Sequence, residues 1–291
     1  MPAHVPPPAT HTSVHLLDEL ASLKRTPDGL QSRLRDPELR ASRASNPTRF
    51  AANRHTRISR PTRSGYMIGE RRLTLDPNVQ EFEGLDAIPF LVEDIHVSAS
   101  RPDLEALKTE VIEGVRRSYT LDRLKDVPEL RAYRDFFWRV GIDPTKTRPA
   151  AEALIRRILG GKALPRINTL VDAYNLASIE TRIALAAFDA GTVRGDIVMR
   201  KARSRETFLG IGMNSPVVLT GKEVVIADDA GLVAVYPYRD SARTAVTNAT
   251  RAIVFLACGV PGIPRGVLIR AQDATRNLVL RFSGPMDQTL A

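Results

Sequence analysis

Apolar residues recur at helical spacing in several stretches of the chain. This periodicity predicts helices over residues 103–119, 128–140 and 150–159, and a closing helix over 267–282. Pro128 and Pro149 stand where the second and third of these helices would begin, because proline suits the first helical position. Gly160 and Gly161 then end the third. The sequence thus predicts a block of helices in the middle of the chain and one helix near its end.

Short runs of β-branched and other apolar residues predict strands. One run covers 89–99 and includes His96, and the others cover 183–188, 196–200, 223–227, 232–236 and 253–259. Glycine-containing turns separate several of them. Because most of the strands follow the helices without regular alternation, the pattern favours an α+β fold, with N-terminal helices followed by a mainly antiparallel sheet.

The stretch 167–175, INTLVDAYN, predicts a helix with two distinct faces. One face carries apolar residues at helical spacing, namely Ile167, Leu170, Val171 and Tyr174. The opposite face carries the polar residues Asn168, Asp172 and Asn175. Asn and Asp each lose about 0.5 kcal/mol of helix stability relative to Ala, so they are poor choices for a solvated face. These side chains therefore either line a ligand site or bond to neighbouring loops of the fold.

The positive charge of the chain is concentrated at its N-terminus. The net charge is +9 over 291 residues; residues 1–66 carry 11 Lys and Arg against 5 Asp and Glu, a net of +6. We predict that residues 1–66 form a disordered Arg/Pro-rich tail, because they have too few large apolar residues to form a core. The tail could contact nucleic acid, direct targeting or have no function, and translation could instead start at Met67. Residues 67–291 are predicted to form a single domain.

Several classes of chemistry are disfavoured by what the sequence contains. A single cysteine, Cys258, excludes an intramolecular disulfide and a Cys-cluster zinc site, and its apolar surroundings predict a buried packing residue. His96 is the one histidine after residue 66, so Ser-His-Asp and Cys-His catalysis are disfavoured. Asp228 and Asp229 are interpreted as turn residues rather than metal ligands. We expect no metal, no cofactor and no membrane span, and a cytoplasmic location.

Two polar clusters are candidates for binding. The first is basic and surrounds the third predicted helix: Lys146, Arg148, Arg156, Arg157, Lys162 and Arg166. It is either a solvated helix face or a contact surface for RNA phosphates. The second follows a predicted strand and is rich in donors and acceptors: Tyr238, Arg239, Asp240, Ser241 and Thr244. It forms either surface ion pairs or a site that holds a ribose, a phosphate or an α-amino group.

Several segments together resemble a known family. They are DPTK (143–146), LPRINTLVDAYN (164–175), AFD (187–189), GDIVMRKA (195–202), the long run 221–247 and IVFLACG (253–259). In this order they resemble the B3/B4 domain of the bacterial phenylalanyl-tRNA synthetase beta chain, over roughly residues 90–262. The resemblance implies an α+β domain that, in the synthetase, hydrolyses mischarged aminoacyl-tRNA. A complete synthetase is not implied, because we find no motif for ATP and adenylate chemistry.

The chain departs from that family at two positions of the editing pocket. The family has His-Ala-Phe-Asp where this chain has Ala186 at the histidine position. The family also has a glutamate in Gly-Gly-Glu-His, where this chain reads Asp-Ser-Ala-Arg over 240–243. Asp240 could replace that glutamate with a side chain one methylene shorter. An aminoacyl ester is already activated, so a site that orients water and stabilises an oxyanion can hydrolyse it without a histidine.

These observations lead to one main functional hypothesis and two alternatives. The chain is predicted to bind tRNA and to act in trans as an aminoacyl-tRNA deacylase, with no DNA partner. Its catalytic candidates are Asn168, Asp172 and Asp240, its substrate-binding candidates are Asn175, Tyr238, Arg239, Ser241 and Thr244, and the six basic residues above would contact RNA. The alternatives are a non-catalytic module that kept the fold and binds tRNA, and a pocket for a free amino acid or nucleotide.

Overall fold

The computed structural model describes residues 61–62 and 65–285. Apart from residues 61–62 and 65–66, the predicted tail lies outside the described residues. Five α-helices follow one another in this part of the chain: α1 (Pro102–Ser118), α2 (Pro128–Arg139), α3 (Ala150–Leu159), α4 (Thr169–Thr181) and α5 (Arg265–Ser283). The periodicity of the sequence therefore identified all five helices; the largest difference is in α4, which was predicted over 167–175 and ends at Thr181. No helix in this part of the chain has the length and apolar character needed to cross a bilayer.

The strands form two main sheets and a short ribbon. Their bounds are β1 (Pro61–Thr62), β2 (Gly65–Ile68), β3 (Arg71–Leu75), β4 (Asp86–Val92), β5 (Ala184–Asp189), β6 (Ile197–Lys201), β7 (Thr207–Phe208), β8 (Val217–Val218), β9 (Val224–Asp228), β10 (Gly231–Val235), β11 (Arg239–Asp240) and β12 (Ile253–Gly259). Seven strands pair in the order β1-β2-β3-β6-β9-β10-β11, three in the order β4-β12-β5, and β7 pairs with β8. Every pairing is antiparallel except that of β3 with β6.

The α+β class is confirmed, but the order of elements differs from the prediction. Four strands, β1–β4, precede the first helix, whereas the sequence predicted one strand ahead of it. The strand β4 also ends at Val92, so the prediction that His96 lies in a strand is wrong. At Asp94 the backbone has a φ of 57°, a left-handed conformation that interrupts a strand. His96 is exposed, and its Nδ1 lies 3.2 Å from the carbonyl oxygen of Asp94.

The strand β12 separates two hydrophobic cores. Val254, Leu256 and Cys258 belong to a core that includes the inner face of the seven-stranded sheet and α2. Ile253 and Phe255 belong to a second core that includes α1, α3 and α4. Successive strand residues point to opposite faces, so one strand contributes to both cores, and all seven of its residues are buried. The three-stranded sheet is therefore the centre of the fold.

The side chain of Tyr133 on α2 connects that helix to the central sheet. Its hydroxyl donates to the carbonyl oxygen of Cys258 and accepts from the backbone N–H of Ala184 at 3.0 Å. We expect Tyr133→Phe to lower the free energy of unfolding by about 1–3 kcal/mol, because two buried backbone groups lose a partner. Urea denaturation measures this. Tyr119→Phe is the control, because that half-buried hydroxyl has one bond of 3.3 Å to Arg182; equal losses in both variants would contradict the prediction.

Candidate functional site

A cavity of about 100 Å³ lies where β5 of the central sheet meets β10 and β11 of the larger sheet. Its wall is mostly apolar, with one carboxyl group and one thiol. The lining residues are Ala150, Tyr174, Leu185, Ala186, Ile211, Ala234, Val235, Tyr236, Pro237, Tyr238, Arg239, Asp240 and Cys258. A concave apolar site with a few polar groups is what a small-molecule site requires.

Chain reversal after β10 brings Asp240 into this wall. The chain turns through residues 236–238, and β11 returns antiparallel to β10, so that Asp240 lies opposite Ala234. The backbone N–H of Ala187 on β5 donates to Oδ2 of Asp240 at 3.1 Å. This bond joins the edges of the two sheets at the cavity. A carboxylate has room for further hydrogen bonds, so Asp240 can still accept one from a molecule in the cavity.

Burial raises the pKa values of the carboxyl group and the thiol group in the cavity wall. Burial raises the pKa of Asp240 to about 7, against the opposing hydrogen bond from Ala187. Burial, and then the nearby charge of Asp240, raise the pKa of the Cys258 thiol. The thiol therefore stays protonated at neutral pH, whereas Asp240 changes its charge near neutral pH. Of the two, Asp240 is the group suited to move a proton.

Arg239 extends away from Asp240, because successive strand residues point in opposite directions. Its Nη1 donates to the carbonyl oxygen of Ile211 at 3.1 Å, and its guanidinium lies 5.0 Å from the centre of the Tyr238 ring. Gly210 leaves room for it, since a Cβ there would stand 2.4 Å from Cδ of Arg239. Arg239 thus holds the segment between β7 and β8 against β11, where Ile211 forms part of the cavity wall.

Two other substrate-binding candidates, Ser241 and Thr244, lie outside the cavity lining. Ser241 begins a short 3₁₀ helix, and its Oγ accepts from the backbone N–H of Arg243 at 3.2 Å. Thr244 is fully buried. The structure therefore brings Tyr238, Arg239 and Asp240 to the cavity, and it places Ser241 and Thr244 within the fold.

The predicted polar stripe has a different geometry from the one expected. Asn168 is not on the helix but precedes it, and its Oδ1 accepts from the N–H of Val171 at 2.9 Å as an N-terminal cap. The expectation of a mid-helix stripe is therefore wrong for this residue. Asp172 is buried and forms an ion pair with Lys108 on α1, and it accepts from the N–H of Ile167 at 3.1 Å. Burial raises the pKa of Asp172, while Lys108 opposes the rise.

Neither Asn168 nor Asp172 lines the cavity, and the half-buried Asn175 does not line it either. The helix α4 reaches the cavity instead through Tyr174, which belongs to the predicted apolar face. Of the three catalytic candidates, Asp240 alone is part of the cavity wall among the described residues. The contacts of Asn168 and Asp172 stabilise the start of α4 and its packing on α1.

The basic residues around α3 are organised by one buried acid. The side chain of Glu152 is 0% exposed, and its Oε1 lies 2.6 Å from Nε of Arg156, 3.1 Å from Nη1 of Arg134 and 3.6 Å from Nη1 of Arg148. We call Arg134, Arg148, Arg156 and Glu152 the arginine cluster. Sequence reasoning did not find Arg134 or Glu152, although the spacing of Arg148, Glu152 and Arg156 places one acid a helical turn from each of two arginines.

The other four basic candidates have separate environments. Lys146 is 84% exposed and lies 3.9 Å from Asp143. The Nε of Arg157 donates to the carbonyl oxygen of Ala163 at 2.5 Å. Arg166 is exposed and lies 3.9 Å from Glu105, and Lys162 is half-buried. The six candidates thus do not form one continuous cluster.

Sequence reasoning also missed Tyr174, Cys258 and Ile211 as cavity residues. All three are apolar or weakly polar side chains that pack together only after folding, so no spacing signal identifies them. In the described part of the chain, no group of three or more His, Cys, Asp or Glu side chains converges as metal ligands would. The site therefore consists of a small cavity with Asp240 in its wall and an arginine cluster close by.

Comparisons with known proteins agree with the resemblance seen in the sequence. The β subunit of phenylalanine--tRNA ligase from Psychrobacter arcticus is 42% identical over 87 residues, which cover 30% of this chain and 11% of that protein. The same subunit from Paramagnetospirillum magneticum is 28% identical over 185 residues, covering 64% of this chain and 23% of that protein. The chain thus spans about a tenth to a quarter of these relatives.

A solved N-terminal fragment of the phenylalanyl-tRNA synthetase β subunit from Pyrococcus horikoshii matches with a TM-score of 0.31 and 14% identity, covering 64% of this chain and 74% of that one. A TM-score of this size does not define a common fold, so the assignment rests on sequence. The model of the B3/4 domain family matches residues 132–278, half of the 291-residue chain. The match includes Arg134, the whole of α3 and α4, Asp240 and Cys258. The chain therefore belongs to the B3/4 domain family.

Proposed function

We propose that this chain binds tRNA and hydrolyses the ester bond of a mischarged aminoacyl-tRNA, acting in trans in the cytoplasm. Membership of the B3/4 domain family supports a role related to tRNA synthetases. The curated relatives are β subunits of phenylalanine--tRNA ligase, of which this chain covers a small part. Aminoacylation itself is therefore not proposed.

The observation that carries the hydrolytic part of the proposal is the position of Asp240. Its carboxyl group stands in the wall of a small apolar cavity, with a pKa raised to about 7 by burial. A general base is most effective when its pKa lies near the working pH. An aspartate in water, with a pKa of about 3.9, would be a much weaker base.

The chemistry needs no cofactor. The carboxylate of Asp240 removes a proton from a water molecule while the water oxygen bonds to the ester carbonyl carbon. The bond between that carbon and the ribose oxygen then breaks, and the ribose oxygen takes the proton from Asp240. The amino acid leaves as the free acid and Asp240 is again a carboxylate. A cavity of about 100 Å³ can hold a water and a small group, since a water occupies about 30 Å³ in the liquid.

The direct test is deacylation of a panel of mischarged tRNAs, with correctly charged tRNAs as controls. We expect one or a few mischarged species to be hydrolysed faster than in buffer and the correctly charged ones to be spared. Uniform protection of every ester, or equal hydrolysis of all of them, would contradict editing by this chain.

A second candidate function is a non-catalytic tRNA-binding module, and Ala186 favours it. This residue occupies the cavity wall at the position where the resemblance implies a histidine. A module of this kind would bind charged tRNA with normal affinity and protect its ester bond. Measuring binding and hydrolysis on the same tRNA separates the two candidates.

A further inference from the structure

The arginine cluster has an excess of positive charge at its surface. Three guanidinium groups surround one carboxylate, which leaves a net charge of +2. Two other partly buried arginines are each paired with one acid: Arg182 makes two bonds of 3.0 Å to Glu129, and Arg200 makes bonds of 3.0 and 2.6 Å to Glu206. The arginine cluster therefore lacks the negative charge that these pairs contain.

The energetics of the cluster agree with this excess. Burial and the repulsion from Arg156 lower the pKa of Arg148, more than the attraction of Glu152 raises it. An added anion would remove this repulsion, because each guanidinium would then have its own counter-charge. Glu152 cannot supply more than one charge, and its side chain is completely buried beneath the three arginines.

The arginines can reach a ligand even though Glu152 cannot. Their side chains are between 20% and 26% exposed. Each guanidinium has five N–H donors in a fixed plane, and the bonds to Glu152 use few of them. Glu152 thus orients Arg134 and Arg156 through hydrogen bonds and attracts Arg148 at 3.6 Å, and the donors that it does not use can bind phosphate oxygens.

The cluster adjoins the cavity along the chain. Ala150, the first residue of α3, lines the cavity. Arg148 precedes it by two residues, and Arg156 follows it by six, a distance of about 9 Å along a helix. A molecule with a reactive ester in the cavity and a phosphate a short distance away would contact both.

We infer that Arg134, Arg148 and Arg156 form a phosphate site for the backbone of the 3′-terminal nucleotides of an RNA whose aminoacyl end enters the cavity. This inference rests on the proposed function and assigns the part of the substrate that the cavity does not hold. Arg134 lies on α2, Arg156 lies on α3 and Arg148 lies two residues before α3, so the site combines separate segments and is not a property of one helix face.

Binding of an uncharged RNA hairpin with a tRNA-like 3′ end tests the site independently of catalysis. Affinity is measured by fluorescence anisotropy at several salt concentrations, for the protein and for Arg134→Gln, Arg148→Gln and Arg156→Gln. Each substitution is expected to make the log–log salt slope shallower by about 0.7, the value for one phosphate contact on a single strand. Arg182→Gln is the matched control, because Arg182 is 30% exposed and paired one to one; its slope should not change.

One further variant and two further substrates test the phosphate site. Arg148→Lys keeps the charge, so it should keep the slope while weakening binding, because an ammonium lacks the planar fork. With an aminoacylated hairpin, the three glutamine variants should raise KM about 10-fold and leave kcat unchanged. With an aminoacyl-adenosine ester, which has no phosphate, they should change neither constant.

The outcomes distinguish the phosphate site from the proposed function. If no ester is hydrolysed but the slopes change as expected, hydrolysis is wrong and the phosphate site stands. If esters are hydrolysed but the glutamine variants bind and react as the parent protein does, the phosphate site is wrong. Equal slope changes with duplex DNA of the same length would also overturn the inference, since they would show a general polyanion surface.

Discussion

Replacing Asp240 by asparagine is expected to lower ester hydrolysis by about 100- to 1000-fold and, at neutral pH, to make the fold more stable. The rate falls because the amide cannot accept a proton from water, and loss of a general base costs a factor of about 10²–10⁴. The hydrogen bond from the N–H of Ala187 can persist, because the amide oxygen of asparagine can accept it in place of Oδ2. The cavity wall therefore keeps its geometry.

The stability gain follows from the raised pKa of Asp240. Its folded-state pKa is about 7, whereas an unfolded aspartate has a pKa of about 3.9. Between these values the folded chain binds more protons than the unfolded chain, so the stability contributed by Asp240 falls as the pH rises from about 4 to about 7. Above pH 7 the loss is complete, and it amounts to at most about 4 kcal/mol because each pKa unit corresponds to about 1.36 kcal/mol.

Urea denaturation at pH 4, 5.5 and 8 measures this difference between the two proteins. From pH 4 to pH 8 the free energy of unfolding of the asparagine variant, relative to that of the parent, should rise by about 1–3 kcal/mol. The hydrolysis rate of the parent should rise with pH through about 7. Asp135→Asn is the control, because Asp135 is 68% exposed and lies 3.9 Å from Arg131 on the helix surface. A variant that is both active and unchanged in its pH profile would remove Asp240 from the mechanism.

Replacing Asp172 by asparagine is expected to have the opposite pattern, with lost stability and retained catalysis. The side chain of Lys108 is 7% exposed, and the substitution removes the buried counter-charge of its ammonium. Removing one partner of a buried pair costs about 3–5 kcal/mol, and we expect the lower end, about 3 kcal/mol. Glu105 remains at 3.0 Å from the Lys108 ammonium, which limits the loss.

The double variant Lys108→Met with Asp172→Leu is the matched comparison for this pair. Apolar replacement of both partners of a buried pair is often neutral. The double variant should therefore lose less stability than the sum of the losses in Lys108→Met alone and Asp172→Leu alone. The rate of hydrolysis per folded molecule should stay within a few-fold of the parent. A loss of catalysis at full stability would instead return Asp172 to the list of catalytic candidates.

Helix positions could be predicted because their signals are local. In α2 the apolar spacing that predicted the helix corresponds to the buried residues Leu130, Tyr133, Phe136 and Phe137. Strands of two residues, such as β7, β8 and β11, have no periodicity to detect. Asn168 was predicted to lie within the helix because it is four residues before Asp172, the spacing of two neighbours on one helix face. A capping residue at the helix start has the same spacing from that position.

The candidate site could be predicted only in part. Asp240, Tyr238 and Ala186 came from the resemblance and from polar residue density after a strand, and all three line the cavity. Cys258 and Tyr174 reach it from β12 and α4, elements far apart in sequence, so their contribution follows from tertiary packing alone. The pKa of Asp240 also depends on burial, which no residue pattern near position 240 reveals.

The two sides of the cavity differ in how firmly they are built. Cys258 belongs to β12, whose residues are all buried between two cores, so this wall can open only when the whole domain unfolds. Ile211 belongs to the segment between the two-residue strands β7 and β8, where Val217 and Val218 are exposed. Amide hydrogens should therefore exchange quickly in that ribbon and slowly in β12. We therefore expect a ligand to enter from the ribbon side, because a local fluctuation there would leave β12 in place.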